Sequence, residues 1–322
     1  MKVKRILAMF IVMAFSVAVS FVYADEKVDL KLRLEKGQSY KMRTLNEMKI
    51  KQTIPGQQGQ QQTMTIIEKS GAKNIYTVED VQADSTLVIK VTYDAISFKQ
   101  ENPTVGWNVE YDSTDTSTAV GPMTPVLGAI VGQSFTITIT PDGHVKEVQG
   151  IDALWRRMEE KIDELSEEGP ERVAMETQMK MQYGEEALKT NTENSFNMYP
   201  DNPIGIGDTW QRKTEINQGF PMIVDSIYTL KERKDGIAVI DVFAMIQTNK
   251  EVGPMEMSNM KIQYNMSGSV TGIMEMQEST GWVIRSNQNL RLTGSVIVNH
   301  PERPQPMSIP MSITGIITQE PY

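Results

Sequence analysis

Two long blocks of period-two hydrophobic alternation, separated by one block of helical period, constrain this chain more than any other feature. In the first block Val28, Leu30, Leu32 and Leu34 alternate with Asp29, Lys31 and Arg33. Side chains on an extended backbone point to opposite sides in turn, so this segment reads as a half-buried strand. After the Gly37-Gln38-Ser39-Tyr40 turn, Tyr40, Met42 and Leu45 open another extended run. A polar hairpin loop, Ile54-Pro55-Gly56 and Gln57–Gln62, interrupts it, and alternation resumes at Met64 and Ile66. Ile75–Val81 and Leu87–Phe98 read as a hairpin closed by Gln82-Ala83-Asp84-Ser85, with a further strand at Val105–Tyr111 and a short helix at Met123–Val131. Phe135, Ile137 and Ile139 alternate into Pro141-Asp142-Gly143, residues that form a turn for definite backbone reasons, and Val145 and Val148 continue beyond it.

At Asp152, a suitable N-cap, the period changes. Leu154, Met158, Ile162 and Leu165 recur every three or four residues, the spacing of an amphipathic helix. Gly169-Pro170 stops it, and a second helix carries Val173, Thr177, Met181 and Leu188, weakened at Gly184. Asn191–Asn202, polar and ending among prolines, reads as a linker. Strand alternation then returns, and it echoes the first block. Gly207-Asp208-Thr209-Trp210 matches Gly37–Tyr40, and Ile227–Leu230 matches Ile75–Val78. Ala238–Phe243 matches Leu87–Thr92, and Gly281-Trp282-Val283 matches Gly143-His144-Val145. Four matches in the same order indicate an internal duplication. The expected fold is mainly β (α+β): two similar antiparallel β-meander halves in twisted or half-barrel sheets, with a helical hairpin between them. The expected divisions are a signal peptide at 1–24, a first β-rich half at 25–150, the hairpin and linker at 151–200, and a second β-rich half at 201–322.

The leader sets the compartment. Lys2, Lys4 and Arg5 precede an apolar run from Ile6 to Val22, which exits through small residues at Ala24 into Asp25-Glu26. That three-part pattern is a cleaved secretory signal peptide. With no cysteine there is no lipobox, disulfide framework or thiolate metal site, so export as a soluble periplasmic or extracellular protein rather than a lipoprotein is expected. Cleavage moves the formal net charge from −9 to −12, a field that repels phosphate backbones and makes nucleic acid a poor partner. No later stretch is long and apolar enough to span a bilayer.

Catalytic motifs are few. There is no Gly-x-Ser-x-Gly elbow, phosphate loop, dinucleotide fingerprint or zincin motif. Of the two histidines, His144 falls in a turn and His300 before a proline. Ser70-Gly71-Ala72-Lys73 has Ser-x-x-Lys spacing, but that chemistry needs a helix to bring lysine to serine, and this segment precedes a strand. The acids Glu159, Glu160, Asp163, Glu164, Glu167 and Glu168 form the wet face of the first helix rather than a glycosidase pair. Asp112 and Asp115 lie in a Ser/Thr-rich loop without EF-hand spacing.

The glycine-led strand openings, Val131-Gly132-Gln133-Ser134-Phe135 and the turn from Asp142 to Gly150 resemble an uncharacterised family of exported bacterial β-rich proteins. In layout the chain also resembles the LolA/LolB-type lipoprotein carriers, in which helices cover a half-barrel. Neither resemblance implies catalytic residues or a cofactor, and fold alone does not transmit function.

Methionine is the anomaly. Beyond residue 24 there are 19 methionines against 12 leucines. Thioethers select Cu(I), so Met255, Met257, Met260, Met274 and Met276 are candidate metal ligands in a periplasmic copper-binding protein. Methionine is also a pliable core filler and suits surfaces that adapt to varied apolar partners. The favoured expectation is non-catalytic, with no cofactor: binding or carrying an apolar small molecule or lipid, or an envelope protein. Copper binding is the alternative and an uncharacterised enzyme the third.

Overall fold

The computed structural model describes residues 26–55, 60–120, 124–165, 169, 172–173, 176–177, 179–180, 184–217, 220–257, 260–301 and 305–322. The leader, Met123, Pro170 and Met181 lie outside the described residues.

Among the described residues, alternation is resolved into one antiparallel sheet of 14 strands. The first half contributes β1 (Ser39–Pro55), β2 (Gln61–Val81), β3 (Leu87–Asn102), β4 (Trp107–Asp112), β5 (Asp115–Val120), β6 (Ser134–Ile139) and β7 (Val145–Gln149). The second contributes β8 (Thr209–Ile216), β9 (Met222–Lys234), β10 (Ile237–Thr248), β11 (Met255–Met257), β12 (Met260–Gln277), β13 (Val283–Asn299) and β14 (Met307–Pro321). The order is β5-β4-β3-β2-β1-β14-β13-β12-β10-β9-β8, with β11 beside β12 and β6-β7 on the base end of β3. The two expected meanders are fused edge to edge, β1 against β14 from Met42↔Pro321 to Gln52↔Met311. The sheet stays open, because β8 at one edge pairs with nothing from the other.

All the long strands run between two ends. The base holds Ser39, Val81, Leu87, Lys234, Ile237, Gln277, Val283 and Pro321; the tip holds Pro55, Gln61, Thr248, Met260, Asn299 and Met307. At the base, helices cover one face of the sheet, among them α1 (Thr124–Gly128), α2 (Ile151–Leu165) and α3 (Glu185–Phe196), with the described residues 172–173, 176–177 and 179–180 helical as well. Ile151, Leu154, Met158 and Ile162 of α2 are buried with Leu87, Ile89, Ile137 and Ile139 from β3 and β6. Full burial of each such side chain contributes about 1.5–3 kcal/mol.

Several expectations need correcting. Val28–Leu34 is not a strand: it makes one bridge, Val28↔Ile204, and otherwise bonds to loops of both halves. Leu32 N–H donates to the Pro141 carbonyl (2.7 Å) and Arg33 N–H to that of Thr280 (2.9 Å). The alternation was correct about burial, since Leu30, Leu32 and Leu34 all lie in the core. Period two reports which side chains are covered, not what the backbone pairs with. Asp152 falls inside the first turn of α2 rather than capping it, and Leu165, at the last turn, is exposed. The expected linker at Asn191–Asn202 is helical to Phe196, because Leu188 and Phe196 are buried and anchor it. Thr192 and Ser195 hydroxyls fold back onto carbonyls one turn earlier (2.7 Å each) instead of breaking the helix. Beyond it Tyr199 is fully buried and donates its hydroxyl to the Gly281 carbonyl at 3.0 Å.

The echoing segments share hydrogen bonds as well as letters. Gly37 N–H donates to Val78 and Val78 N–H to Gln38 (2.8 and 2.9 Å), as Gly207 does to Leu230 and Leu230 to Asp208 (2.7 and 3.0 Å). Gly143 and Gly281 both have positive φ, and a Cβ on either would collide with a carbonyl, of Phe196 or Lys31.

Candidate functional site

Alternation continues past the helices to the tip, on the same face of the sheet. Along β10, Ala244 and Ile246 are buried while Phe243 and Met245 are exposed, Met245 to 55%. Met222, Met266, Val270, Leu290, Leu292, Val296, Met311 and Ile313 are buried with them in a second apolar cluster. Met48, Ile50, Ile216, Val224, Ile262, Tyr264, Val298 and Ile309 pack around it, half-buried. Every described residue of this cluster belongs to a strand, whereas the base core includes side chains from α1, α2 and α3.

Glycines shape this face. Gly268, Gly272 and Gly294 lie on it along β12 and β13, and a Cβ on them would collide with the carbonyls of Arg291, Asn287 and Asn265. Glycine inside strands marks close backbone approach and the bends through which a sheet coils. Register then aligns the methionines. Met222 faces Thr248 across β9–β10, and Thr248 binds the backbone of Met266 through its hydroxyl (2.8 and 3.2 Å). Met266 faces Gly294, Gly294 faces Met311, Met311 faces Gln52, and Gln52 faces Met64. Methionines therefore form a transverse row over seven adjacent strands. At about 4.8 Å per strand, Met266 and Met311 stand about 10 Å apart, with a side-chain-free glycine between them. Tyr264 and Phe220, ring centroids 4.2 Å apart, close the row at the tip.

The methionines singled out by sequence fall elsewhere. Met255 and Met257 on β11 pair with Ile262 and Met260 at the tip, while Met274 and Met276 are buried in the base core. From Met260 to Met274 the chain runs along one strand, about 46 Å at strand rise, so the five do not converge. Proximity in sequence suggested them, whereas the row is assembled from β2, β9, β12 and β14 by register. No local signal marks it beyond apolar residues in phase along each strand.

Other candidates separate too. Ser70 faces Asn46 on the inner face, and Lys73, three residues on, faces Arg43 on the other, so lysine cannot reach the serine. His144 is exposed in its turn at the base and His300 lies at the tip. Asp112 accepts from Thr114 N–H and hydroxyl (2.8 and 2.6 Å), and Asp115 likewise from Ser117 (3.0 and 2.6 Å).

A family model matches residues 84–283, well over half of the chain; it describes a family of unknown function (DUF6263). The chain belongs to this family. The DUF6263 match runs from the start of β3 to the first residue of β13, leaving β1, β2, β14 and most of β13 outside it. No curated protein matches the chain in sequence. Among solved structures, one described as lipid–protein interactions in lipovitellin aligns at TM-score 0.49 and 7% identity. It covers 90% of this chain, which spans only 25% of that one. Salmonella typhi OmpF in complex with daunomycin aligns at TM-score 0.17 and 8% identity, over 90% and 99% of the two chains. At these scores neither likeness carries a conclusion. No helix among the described residues of this DUF6263 chain is long and apolar enough to cross a membrane, which says nothing of strands.

The opposite face of the sheet is open and mixes charged side chains with the exposed Phe243, Met245, Ile273 and Ile316. A depression of about 500 Å3 there is lined by Glu47, Lys49, Lys69, Arg291, Ile67 and Ile316, with Lys69 paired to Glu47 at 2.8 Å. Burial raises the pKa of Tyr76, Tyr199, Tyr228 and Tyr264, keeping these phenols neutral. Asp84 is held down at about 2, chiefly by the Thr86 backbone N–H, then by the side chains of Thr86 and Lys146.

Proposed function

We propose that this protein binds and carries an apolar, lipid-sized ligand on the tip half of its inner sheet face, without catalysis, after export through its leader into the periplasm or the extracellular space. The observation that carries this reading is the methionine row Met222–Met266–Met311–Met64 lying across a sheet with glycines at its close backbone approaches, flanked by aliphatic side chains. Methionine side chains are unbranched and polarizable and repack at little cost, which suits a surface that closes on itself when empty and opens around a guest. Helices dry the base, as in the LolA/LolB-type carriers that the layout resembles, but among the described residues the tip cluster is made of strand side chains. Asp80, Asp84, Asp115, Asp142 and Asp208 are all shifted down by hydrogen bonds from turns or lysines, so none of these five suits a general acid.

Native mass spectrometry of the full chain, purified gently from its own envelope fraction, tests the reading. A lipid-sized adduct that disappears on organic extraction and is lost in Met266→Lys is expected. A bare mass, together with no uptake of an apolar fluorophore by the extracted protein, overturns it; a copper-sized adduct would promote the metal alternative instead.

A further inference from the structure

Between the base core and the tip cluster, the inner face changes character. Gln288 on β13 faces Ile317 on β14, which faces Asn46 on β1, which faces Ser70 on β2. One row closer to the base, Ser286 faces Gln319, Gln319 faces Thr44, and Thr44 faces Ala72. Amides and hydroxyls thus form a belt over four adjacent strands, flanked in its base row by Met274 on β12 and Ile96 on β3, with Leu290 and Met48 on its tip side. Asn46 donates its amide to the Ser70 hydroxyl at 3.3 Å, and Gln288 donates to the Ser286 hydroxyl at 3.1 Å. The side chains of Gln319 and Thr44 make no hydrogen bond among the described residues. Ser286 is buried and the others are half-buried.

No member of the belt is charged. Among the described strand residues, the nearest charged group on this face is Glu68, one row towards the tip, where it accepts from the Gln100 amide at 3.1 Å. Backbone groups here are already paired in the sheet, so the belt's spare hydrogen-bonding capacity is in its side chains. An unpaired ion drawn into such a half-buried belt loses hydration without gaining a counter-charge. An anion would in addition meet Glu68 and the protein's negative field. A neutral hydroxyl or ester can both donate to and accept from amides and hydroxyls.

Resting on the carrier reading, we infer that the ligand is an uncharged amphiphile of the acylglycerol or fatty-alcohol class. Its head lies on the Asn46–Ser70–Gln288–Gln319 belt, and its chain runs towards the tip under the methionine row. Along β1 the path from Asn46 to Ile54 is about 26 Å at strand rise, room for a long acyl chain.

The test uses the full chain after organic extraction, with diphenylhexatriene as a purely apolar probe. Monooleoylglycerol and oleate, which share one acyl chain, compete for it at pH 8. Monooleoylglycerol is expected to displace the probe at about tenfold lower concentration than oleate, equivalent to ~1.4 kcal/mol. The pair Asn46→Leu and Gln288→Leu should erase that preference while probe binding stays intact. Thr44→Val, a near-isosteric change, should weaken the preference without perturbing the fold. Equal or stronger displacement by oleate overturns the headgroup assignment alone, as does a preference unchanged in all the variants. Failure of the probe to bind at all overturns the carrier reading beneath it.

Discussion

The base and the tip of the sheet show one alternating pattern made dry in two ways. At the base, α1, α2 and α3 and the extended segment around Leu30–Leu34 lie over the inner face, and their side chains are part of the core. At the tip, the described cluster is made of strand side chains, where neighbouring backbones approach closely at Gly268, Gly272 and Gly294. A core held by helices covalently joined to it has a fixed shape. A face whose described cover is the side chains of its own strands has a volume that methionine rotamers can change, which is why the tip is the proposed binding site and the base is its support.

Truncation at equivalent depth separates the two most strongly. Ile89→Ala at the base should lower unfolding stability by about 2–5 kcal/mol in a denaturant titration, with no change in apolar-probe affinity per folded molecule. Leu292→Ala at the tip should cost less, about 1–2 kcal/mol, because pliable neighbours collapse into the space, yet should weaken probe binding. Equal stability losses and unchanged probe binding would make the tip an ordinary core and end the comparison.

Gly268→Ala sharpens it. The added methyl meets the Arg291 carbonyl, so the β12 and β13 backbones must move apart, with an expected loss of about 1–3 kcal/mol and impaired probe binding. An alanine variant of wild-type stability and affinity would show that this close approach does not shape the site.

Smaller effects come from the base. Tyr199→Phe leaves the Gly281 carbonyl without its phenol and should cost about 1–3 kcal/mol. The same residue gives an alkaline limit. Burial raises its folded pKa above the unfolded value of about 10, so its contribution is complete below pH 10 and declines as pH rises further. The phenylalanine variant should show a flatter loss of stability above pH 10. Asp84 acts in the opposite direction and is exposed, so its effect is slight. Its folded pKa of about 2 lies below the unfolded ~3.9, so what it contributes is present above pH 4 and lost as pH falls towards 2. Asp84→Asn should remove that part of the acid dependence while probe binding is unchanged.

Much of the fold was legible where periodicity was strong. The hairpin of Ile75–Val81 with Leu87–Phe98, the turn at Pro141-Asp142-Gly143 and the buried stripe Leu154–Met158–Ile162 each follow from local spacing. Errors arose where local chemistry and tertiary packing disagreed. Val28–Leu34 alternates like a strand but threads between loops of both halves, and Asn191–Phe196 is polar yet helical because Phe196 is buried at its end. The candidate site was legible only as an excess of methionine. Met255, Met257 and Met260 are close in sequence and lie far from Met274 and Met276, while Met222, Met266, Met311 and Met64 are scattered in sequence and share one row.

What the amino-acid order determined by itself is the face on which each strand residue lies, the breaks at which strands turn and the stretch that becomes helix. Each is decided by backbone geometry and burial within a few residues. Only the tertiary structure decided that β1 joins β14 to make one sheet, which residues stand opposite one another across it, and that the helices gather at one end. Strand register is a property of pairs distant in the chain, so the methionine row and the polar belt exist only once the sheet has formed.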